Sequence, residues 1–280
     1  MQMKTMVSRL AISATLLMLV AVGVANAQNC SSSIQACGCT INSAGAYTVD
    51  SDLSAAQGLT SRGGCIDVAA ANVKLFTNGH NITGAGTGTG IGINLLSSAG
   101  SLFLTAAGPN STYTTASGWQ YGMQSLADNV TSEGFYFSGN TTGVLLKDAD
   151  NNNVSCFGAY NNSVYGVWVR AGSGNQIDFG GAWNNGVAGV YIGCSATGPS
   201  GQACTGSRPP SDNFVFEMFS YPGPPPQSYG IAVEKGSKQN SIVDNFFLSN
   251  SVDDLFDGNA SGANVWHANK YATANQSFIQ

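Results

Sequence analysis

Four side chains suited to holding a sugar or an anionic group recur at one fixed interval in the middle of the chain. Lys147 and Arg170 are separated by 23 positions, and the same interval separates Trp168 from Tyr191. Aromatic rings can stack against sugar rings, and paired cations can bind carboxylate or sulfate groups. If each repeating unit lies beside the next, these four residues form a platform that binds a glycan. The alternative is that the two aromatic rings pack beneath a loop.

Carboxylates lie close in sequence to the two cations. Asp148 and Asp150 follow Lys147, and Asp178 follows Arg170. A carboxylate can serve as a general acid or base, or as a ligand of Ca²⁺, so these aspartates are candidates for either role. The alternative is a solvated charge cluster in which the aspartates offset the repulsion between the two cations.

The interval of 23 belongs to a repeat that spans most of the chain. Each unit opens on a glycine followed by alternating apolar residues, as in the segment GVWV that starts at Gly166. Alternation of period two indicates β-strands with one face in a shared core, and a period in the low twenties indicates a solenoid. Successive units begin at Gly122, Gly143, Gly166, Gly189 and Gly230, with a degenerate unit at Leu255.

Two further strands complete each unit. One follows an asparagine, and the other leads to the asparagine pairs Asn161-Asn162 and Asn184-Asn185. Asparagine tolerates left-handed backbone geometry, and its amide can bond the turn or the same residue one coil away, so we interpret these pairs as structural ladders. Three short parallel strands per turn, stacked about 4.8 Å apart, predict an all-β, single-domain right-handed parallel β-helix with about 21–25 residues in each of roughly nine coils.

The amino end is predicted to be an export signal. Lys4 and Arg9 give it a basic start, residues 10–24 are almost wholly apolar, and small residues lead up to Ala27. This pattern is typical of a signal peptide over 1–27 that is cleaved near Ala27. The sequence therefore predicts a secreted protein, either periplasmic or extracellular.

The remaining chain is predicted to be one soluble domain. An N-terminal cap and first coil occupy 28–64, and the β-helix occupies 65–280, with inserted loops near 194–210 and 221–229. No second apolar stretch is long enough to cross a bilayer. Without Lys4 and Arg9 the chain has 8 basic against 15 acidic residues, a formal charge of −7. This balance excludes nucleic acid as a partner, since phosphate contacts need a basic surface.

The seven cysteines are consistent with an oxidising compartment. Cys194 and Cys204 bracket a short loop, which makes a disulfide between them the favoured pairing. Cys156 is expected to be the unpaired one, and the repeat pattern places it inside the core. Two more disulfides are expected near the amino end, among Cys30, Cys37, Cys39 and Cys65.

From about Cys39 onward the chain resembles secreted bacterial right-handed parallel β-helix repeat proteins. The segment GGCIDVAAANVKLFTNGHNITGAG, from Gly63, is similar to the first coil of that group. The segment NVWHANKYATANQSFIQ, from Asn264, is similar to its closing part. The resemblance implies the fold, which polysaccharide lyases, hydrolases, epimerases, adhesins and phage tailspikes share.

The resemblance also implies roles for the charged residues. Lyases of this fold neutralise a uronate and abstract a proton with Arg or Lys, often with Ca²⁺ held by carboxylates. Carried over, this gives Lys147, Arg170, Asp148 and Asp178 as candidate catalytic residues and Ca²⁺ as an optional cofactor. The sequence motifs of pectate lyases and polygalacturonases are absent, so no specific enzyme family is matched.

A further aromatic set precedes the closing asparagines. It contains Tyr160, Trp183 and either Phe219 or Tyr221. Three interpretations stay open, namely a second exposed stripe, a contact between copies in an oligomer, or the floor under the PGPPP segment. Taken together, the sequence predicts recognition of an extracellular polysaccharide, with cleavage as an additional activity. The alternative is a structural or adhesive surface protein without enzymatic activity.

Overall fold

The computed structural model describes residues 28–106, 112–199, 201, 203–204, 208–220 and 223–280. The predicted signal peptide therefore lies outside the described residues. The one helix within this part of the chain is a short 3₁₀ turn, Ala55–Gln57. No helix in the described residues has the length and hydropathy of a membrane span.

Three parallel sheets run along the molecule, and each coil contributes one strand to each sheet in turn. The predicted parallel β-helix is thereby confirmed. Sheet A contains Gln28–Asn29, Cys39–Ile41, Gly64–Val68, Ile91–Leu95, Tyr121–Ser125, Thr142–Leu146, Tyr165–Val169, Ala188–Ile192, Tyr229–Val233 and Asp253–Asp257. Sheet B contains Ser33–Ile34, Gly45–Val49, Val73–Phe76, Leu102–Thr105, Val130–Glu133, Asn153–Ser155, Gln176–Asp178, Phe214–Phe216, Ser241–Val243 and Val265–His267. Sheet C contains Leu53–Ser54, Ile82–Thr83, Thr114–Ser117, Phe135–Ser138, Gly158–Tyr160 and Gly181–Trp183.

The core lies inside the triangle formed by the three sheets. In sheet A the inward residues Val144, Val167 and Val190 are register partners on successive strands, and all three are fully buried. The row continues through Ile231 to Leu255, the degenerate unit of the repeat. The repeat found in the sequence therefore fixes the register of this sheet, and with it the face of each strand that points outward.

Buried asparagine ladders occupy two of the corners. At the corner between sheets C and A, the backbone N–H of Asn162 donates to Oδ1 of Asn185 at 3.2 Å, and the Asn162 side-chain amide donates to the same oxygen at 2.9 Å. Asn161 and Asn184, one residue earlier, have φ values of 56° and 54°, in the left-handed region that asparagine tolerates. The structural interpretation of these pairs is confirmed. A second ladder links Asn152, Asn175, Asn213, Asn240 and Asn264 between sheets A and B.

Three disulfides are present, and one of them is the predicted Cys194–Cys204 bridge. The amino-terminal cysteines pair as Cys30–Cys39 and Cys37–Cys65. Cys156 is the free cysteine, as predicted, but its predicted place inside the core is wrong because the side chain is exposed. Cys156 lies at the corner between sheets B and C with a φ of 50°, and this left-handed residue interrupts the inward–outward alternation.

Candidate functional site

The two aromatic residues predicted to bind sugar are neighbours on sheet A. Trp168 and Tyr191 are register partners on adjacent strands, which confirms their predicted alignment. Both side chains point away from the core, yet Trp168 is only 4% exposed and Tyr191 is 0% exposed. They form an outer apolar cluster together with Leu145, Tyr165, Ala188 and Ala232. We call this set the covered cluster.

The loop closed by the Cys194–Cys204 disulfide is bonded to the covered cluster. The Trp168 indole N–H donates to the Gly193 carbonyl at 2.7 Å, and the Tyr165 hydroxyl donates to the Ser195 carbonyl at 3.1 Å. Burial raises the pKa of the Tyr165 and Tyr191 hydroxyls. The expectation of an exposed platform at Trp168 and Tyr191 is wrong for this structure, since neither ring presents a face to solvent. The alternative, packing beneath a loop, describes what is found.

One buried carboxylate fastens the loop from below. Glu234 is 2% exposed and accepts hydrogen bonds from the backbone N–H groups of Cys194 at 2.6 Å and Ser195 at 3.1 Å. Charge-assisted bonds of this kind hold a loop firmly, because leaving the carboxylate unpaired in the interior would be costly. The loop is therefore a fixed part of this face of sheet A.

Two charged side chains near the predicted platform have defined partners. The Arg170 guanidinium lies over the Trp168 ring, 5.3 Å from the centroid. Asp150 pairs with Arg208, whose Nη2 lies 2.6 Å and 2.5 Å from the two carboxylate oxygens. Partial burial acts to raise the pKa of Asp150, but the bonds from Arg208 and the Ser173 N–H outweigh it and lower the pKa overall.

Of the four residues predicted to be catalytic, Lys147, Asp148 and Arg170 lie near one another on adjacent coils, and Asp178 lies apart from them. Lys147 and Arg170 follow the ends of sheet A strands, exposed Asp148 lies at the next corner, and Asp178 ends a strand of sheet B. A catalytic role for these residues stays a prediction.

A calcium site at the aspartates also finds no support. Among the described residues, the one group of three potential metal ligands is Cys194, Cys204 and Glu234. Its two cysteines are joined as a disulfide and offer no thiolate. Asp148, Asp150 and Asp178 form no such group in this part of the chain.

Asp178 nevertheless has an unusual environment. The side chain points outward from sheet B but is only 2% exposed, and the Gln176 side-chain amide donates to its Oδ2. Its Oδ1 is buried and makes no hydrogen bond. Burial raises the pKa of this carboxyl, and the bond from Gln176 offsets part of the rise. Asp178 is thus an acid whose neutral form the fold favours.

A second set of aromatic residues, on the outer face of sheet C and at its corner with sheet B, is partly exposed. Tyr113 is 44% exposed, and Tyr136, Tyr160 and Trp183 are half-buried. Tyr113 stacks on Tyr136 with 4.6 Å between ring centroids. Tyr160 stacks on Trp183 at 4.8 Å with the planes 6° apart, and Tyr136 meets Tyr160 edge-on at 6.0 Å. We call these four residues the open stripe.

Glycines on sheet C make room for the rings. A β-carbon at Gly158 would lie 2.7 Å from the Tyr136 ring, and one at Gly181 would lie 2.6 Å from the Trp183 ring. Any side chain at these two outward positions would displace the aromatic rings. The glycines therefore let the open stripe lie close to the backbone as a continuous aromatic surface.

The charges bordering the open stripe are negative. Glu133 ends a strand of sheet B in the coils that carry the stripe, and exposed Glu217 and Asp244 occupy the same corner one and two coils beyond Trp183. Among the described residues, no lysine or arginine occupies this corner in the coils that carry the stripe. The predicted attraction for uronate or sulfate, which was based on Lys147 and Arg170, therefore does not extend to the open stripe.

The sequence indicated only half of the open stripe. Tyr160 and Trp183 belong to the aromatic set predicted from the sequence. Their partial exposure agrees with an exposed stripe, and Trp183 also lines a cavity with Gly223 and Pro226, as a floor under the PGPPP segment would. Tyr113 and Tyr136 were missed. Tyr136 pairs in register with Gly158 rather than with another aromatic residue, so aromatic residues do not recur in one column of the repeat. The FYFS strand itself, with Tyr136 and Ser138 facing outward, was the available signal.

Comparison with known proteins finds similarity in structure alone. Neither a protein-family model nor a curated protein matches the chain. The alginate lyase from Paenibacillus sp. strain FPU-7 aligns with a TM-score of 0.48 at 15% identity, covering 84% of this chain and 75% of the lyase. The Dettilon tailspike protein aligns with a TM-score of 0.47 at 16% identity, covering 82% of this chain and 47% of the tailspike.

A third similar structure is tailspike protein 2 from an Escherichia coli O157:H7 bacteriophage. Its TM-score is 0.42 at 13% identity, with 86% of this chain and 38% of the tailspike covered. The chain thus spans about half the length of the Dettilon tailspike and a smaller share of the second tailspike. Each of these similarities concerns the β-helix fold.

Proposed function

We propose that this protein is exported and binds a polysaccharide along the open stripe of sheet C. The observation that supports the proposal is the row of four partly exposed aromatic side chains, Tyr113, Tyr136, Tyr160 and Trp183, on successive coils. Aromatic surfaces bind sugars through their apolar faces, and a linear row suits a chain of sugars better than a single one.

The charge pattern supports a neutral polysaccharide. Glu133 borders the open stripe, Glu217 lies one coil beyond its end, and both would repel the carboxylates of a polyuronate. Export is supported by the three disulfides, which persist in oxidising compartments, and by the predicted signal peptide over 1–27.

The test is affinity electrophoresis of residues 28–280 in gels that contain neutral or acidic polysaccharides, with and without calcium. Retention by a neutral polysaccharide is expected, and Trp183→Ala and Tyr160→Ala are expected to weaken it. Phe256→Ala is the matched control, since Phe256 is a half-buried aromatic residue on the outer face of sheet A. Equal retention of all four proteins would contradict a site at the open stripe.

The same samples distinguish the remaining candidates. New reducing ends or unsaturated products would add cleavage to binding. Absence of retention across the whole panel would overturn the proposal and favour a structural or adhesive role, in which the open stripe contacts another protein surface.

A further inference from the structure

A depression lies at the corner between sheets B and C, beside the amino-terminal end of the open stripe. Its wall contains Thr105, Ala106, Tyr113, Glu133, Gly134 and Cys156. Tyr113 belongs both to this wall and to the open stripe, where it stacks on Tyr136. A sugar chain that follows the stripe therefore reaches the depression.

Small residues at the corner create the depression. Register pairs Thr105 with Glu133 and Glu133 with Ser155, so the residues that follow them occupy equivalent corner positions. Those residues are Ala106, Gly134 and Cys156, and none has a side chain larger than that of cysteine. In the next coil the equivalent residue is Phe179, which is 52% exposed and closes the column. The depression is therefore specific to three coils.

The chemistry of the wall selects a ligand group. Tyr113 and Cys156 present apolar surface, Ala106 lies buried beneath it, and Glu133 supplies a half-buried carboxylate that accepts hydrogen bonds. A methyl group fits the apolar part, and an amide N–H can donate to the carboxylate. An acetamido group carries both features on adjacent atoms, whereas a plain hydroxyl lacks the methyl group and a uronate would face like charge.

We propose that this depression binds the N-acetyl group of an amino-sugar unit in the polysaccharide. This inference rests on the proposed function and assigns the substrate class to the same site. The sugar ring lies against Tyr113, the methyl group lies against Cys156, and the amide N–H donates to Glu133. Glycans with acetamido groups are therefore preferred over otherwise identical glycans without them.

The thiol of Cys156 reports directly on occupancy. Six of the seven cysteines form disulfides, so Cys156 is the one free thiol and an alkylating reagent modifies it alone. N-acetylglucosamine oligosaccharides are expected to slow its alkylation by iodoacetamide, while glucose oligosaccharides of equal length do so weakly. Burial of one methyl group predicts about a fourfold difference in affinity, which the hydrogen bond to Glu133 increases.

A matched pair of variants tests the pocket without altering the open stripe. Cys156→Phe fills it with the side chain that Phe179 places at the equivalent position, where a phenylalanine already adopts a φ of 49°. Cys156→Ser keeps the size of the residue. The phenylalanine variant is expected to lose the preference for acetylated oligosaccharides while still binding along the stripe, and the serine variant is expected to keep it.

The outcomes separate this inference from the proposed function. Binding that is weakened by Trp183→Ala but shows no acetyl preference, with no protection of Cys156, overturns the pocket and leaves the open stripe standing. Preference for a methyl-bearing sugar without an amide would also overturn it. If the wild-type protein binds no glycan, both the proposed polysaccharide site and the acetamido pocket are overturned. If Cys156→Phe does not fold, the alkylation rates of the wild-type protein still decide the question.

Discussion

Aromatic residues occupy outward positions on both sheet A and sheet C, yet the rings of the covered cluster on sheet A are buried, whereas those of the open stripe reach solvent. Tyr165 and Tyr191 stack at 4.7 Å with planes 12° apart, much as Tyr160 and Trp183 stack at 4.8 Å. The local geometry is the same, and the difference lies in the loop that is closed by a disulfide and bonded over sheet A. An outward position in a β-helix is therefore available to a ligand only where no insertion covers it.

The contrast assigns different physical roles to similar side chains. In the covered cluster the rings exclude water and contribute to stability in the same way as a core. In the open stripe part of each ring surface stays in water, so less stability is gained, and that surface can be transferred to a ligand. The comparison can be tested by changing one ring on each face.

The largest effect is expected from Trp168→Ala in the covered cluster. Removal of this nearly fully buried indole leaves a cavity and the Gly193 carbonyl without its donor, and such truncations cost about 3–5 kcal/mol. Trp183→Ala on the open stripe should cost less than half of that. Guanidinium denaturation of both variants measures the difference. Equal losses of unfolding free energy would refute the distinction between a covered and an open face.

The second effect concerns the loop itself. Replacing Cys194 and Cys204 together by serine removes a bridge with a sequence separation of 10 residues, which is expected to cost about 2–3 kcal/mol. Opening of the loop should also expose the covered cluster, so quenching of Trp168 fluorescence by acrylamide should increase. The control is the triple variant that combines Trp168→Phe with the two serine substitutions, in which the increase in quenching should be absent if it comes from Trp168. Unchanged quenching would show that Glu234 holds the loop without the disulfide.

The third effect is on binding and is confined to the open stripe. Trp183→Ala is expected to weaken polysaccharide binding about tenfold, since aromatic contacts contribute roughly 0.5–1.5 kcal/mol beyond the buried area. Trp168→Phe, which keeps an aromatic ring in the covered cluster, should bind as the wild type does. Isothermal titration calorimetry measures both. A larger loss of affinity for the Trp168 variant than for the Trp183 variant would place the binding site on sheet A.

The fold was predictable because its determinants are local and repeated. The glycine-initiated units gave the register of sheet A, and the asparagine pairs gave the corners, as the rows through Val167 and Asn162 show. The Cys194–Cys204 bridge followed from a short separation. Each of these features depends on spacing along one chain, which a sequence displays directly.

The open face could not be predicted in the same way, because exposure depends on where an insertion folds. Nothing in the spacing of Trp168 and Tyr191 states that a loop bonds across them. Cys156 was misplaced for a different reason, since a left-handed corner residue reverses the side-chain direction that alternation predicts. Tyr113 and Tyr136 do not follow from the repeat because they lie in different columns, and Tyr136 has Thr115 and Gly158 as its register partners rather than aromatic residues.

The smallest effect concerns Asp178, on the sheet that separates the two aromatic faces. Its pKa is raised in the folded protein above the ordinary value of about 3.9, so folding favours the protonated form and ionisation costs stability. Asp178→Asn is therefore expected to raise the melting temperature at pH 7, and the gain should disappear as the pH falls below the ordinary pKa, where both states are protonated. Gln176→Met removes the amide that donates to the carboxylate, so the rise in melting temperature caused by Asp178→Asn should be larger in a protein that also carries Gln176→Met. A lower melting temperature for Asp178→Asn at pH 7 would mean that the ionised carboxylate has a stabilising partner, and Asp178 would then belong with the paired acids such as Asp150.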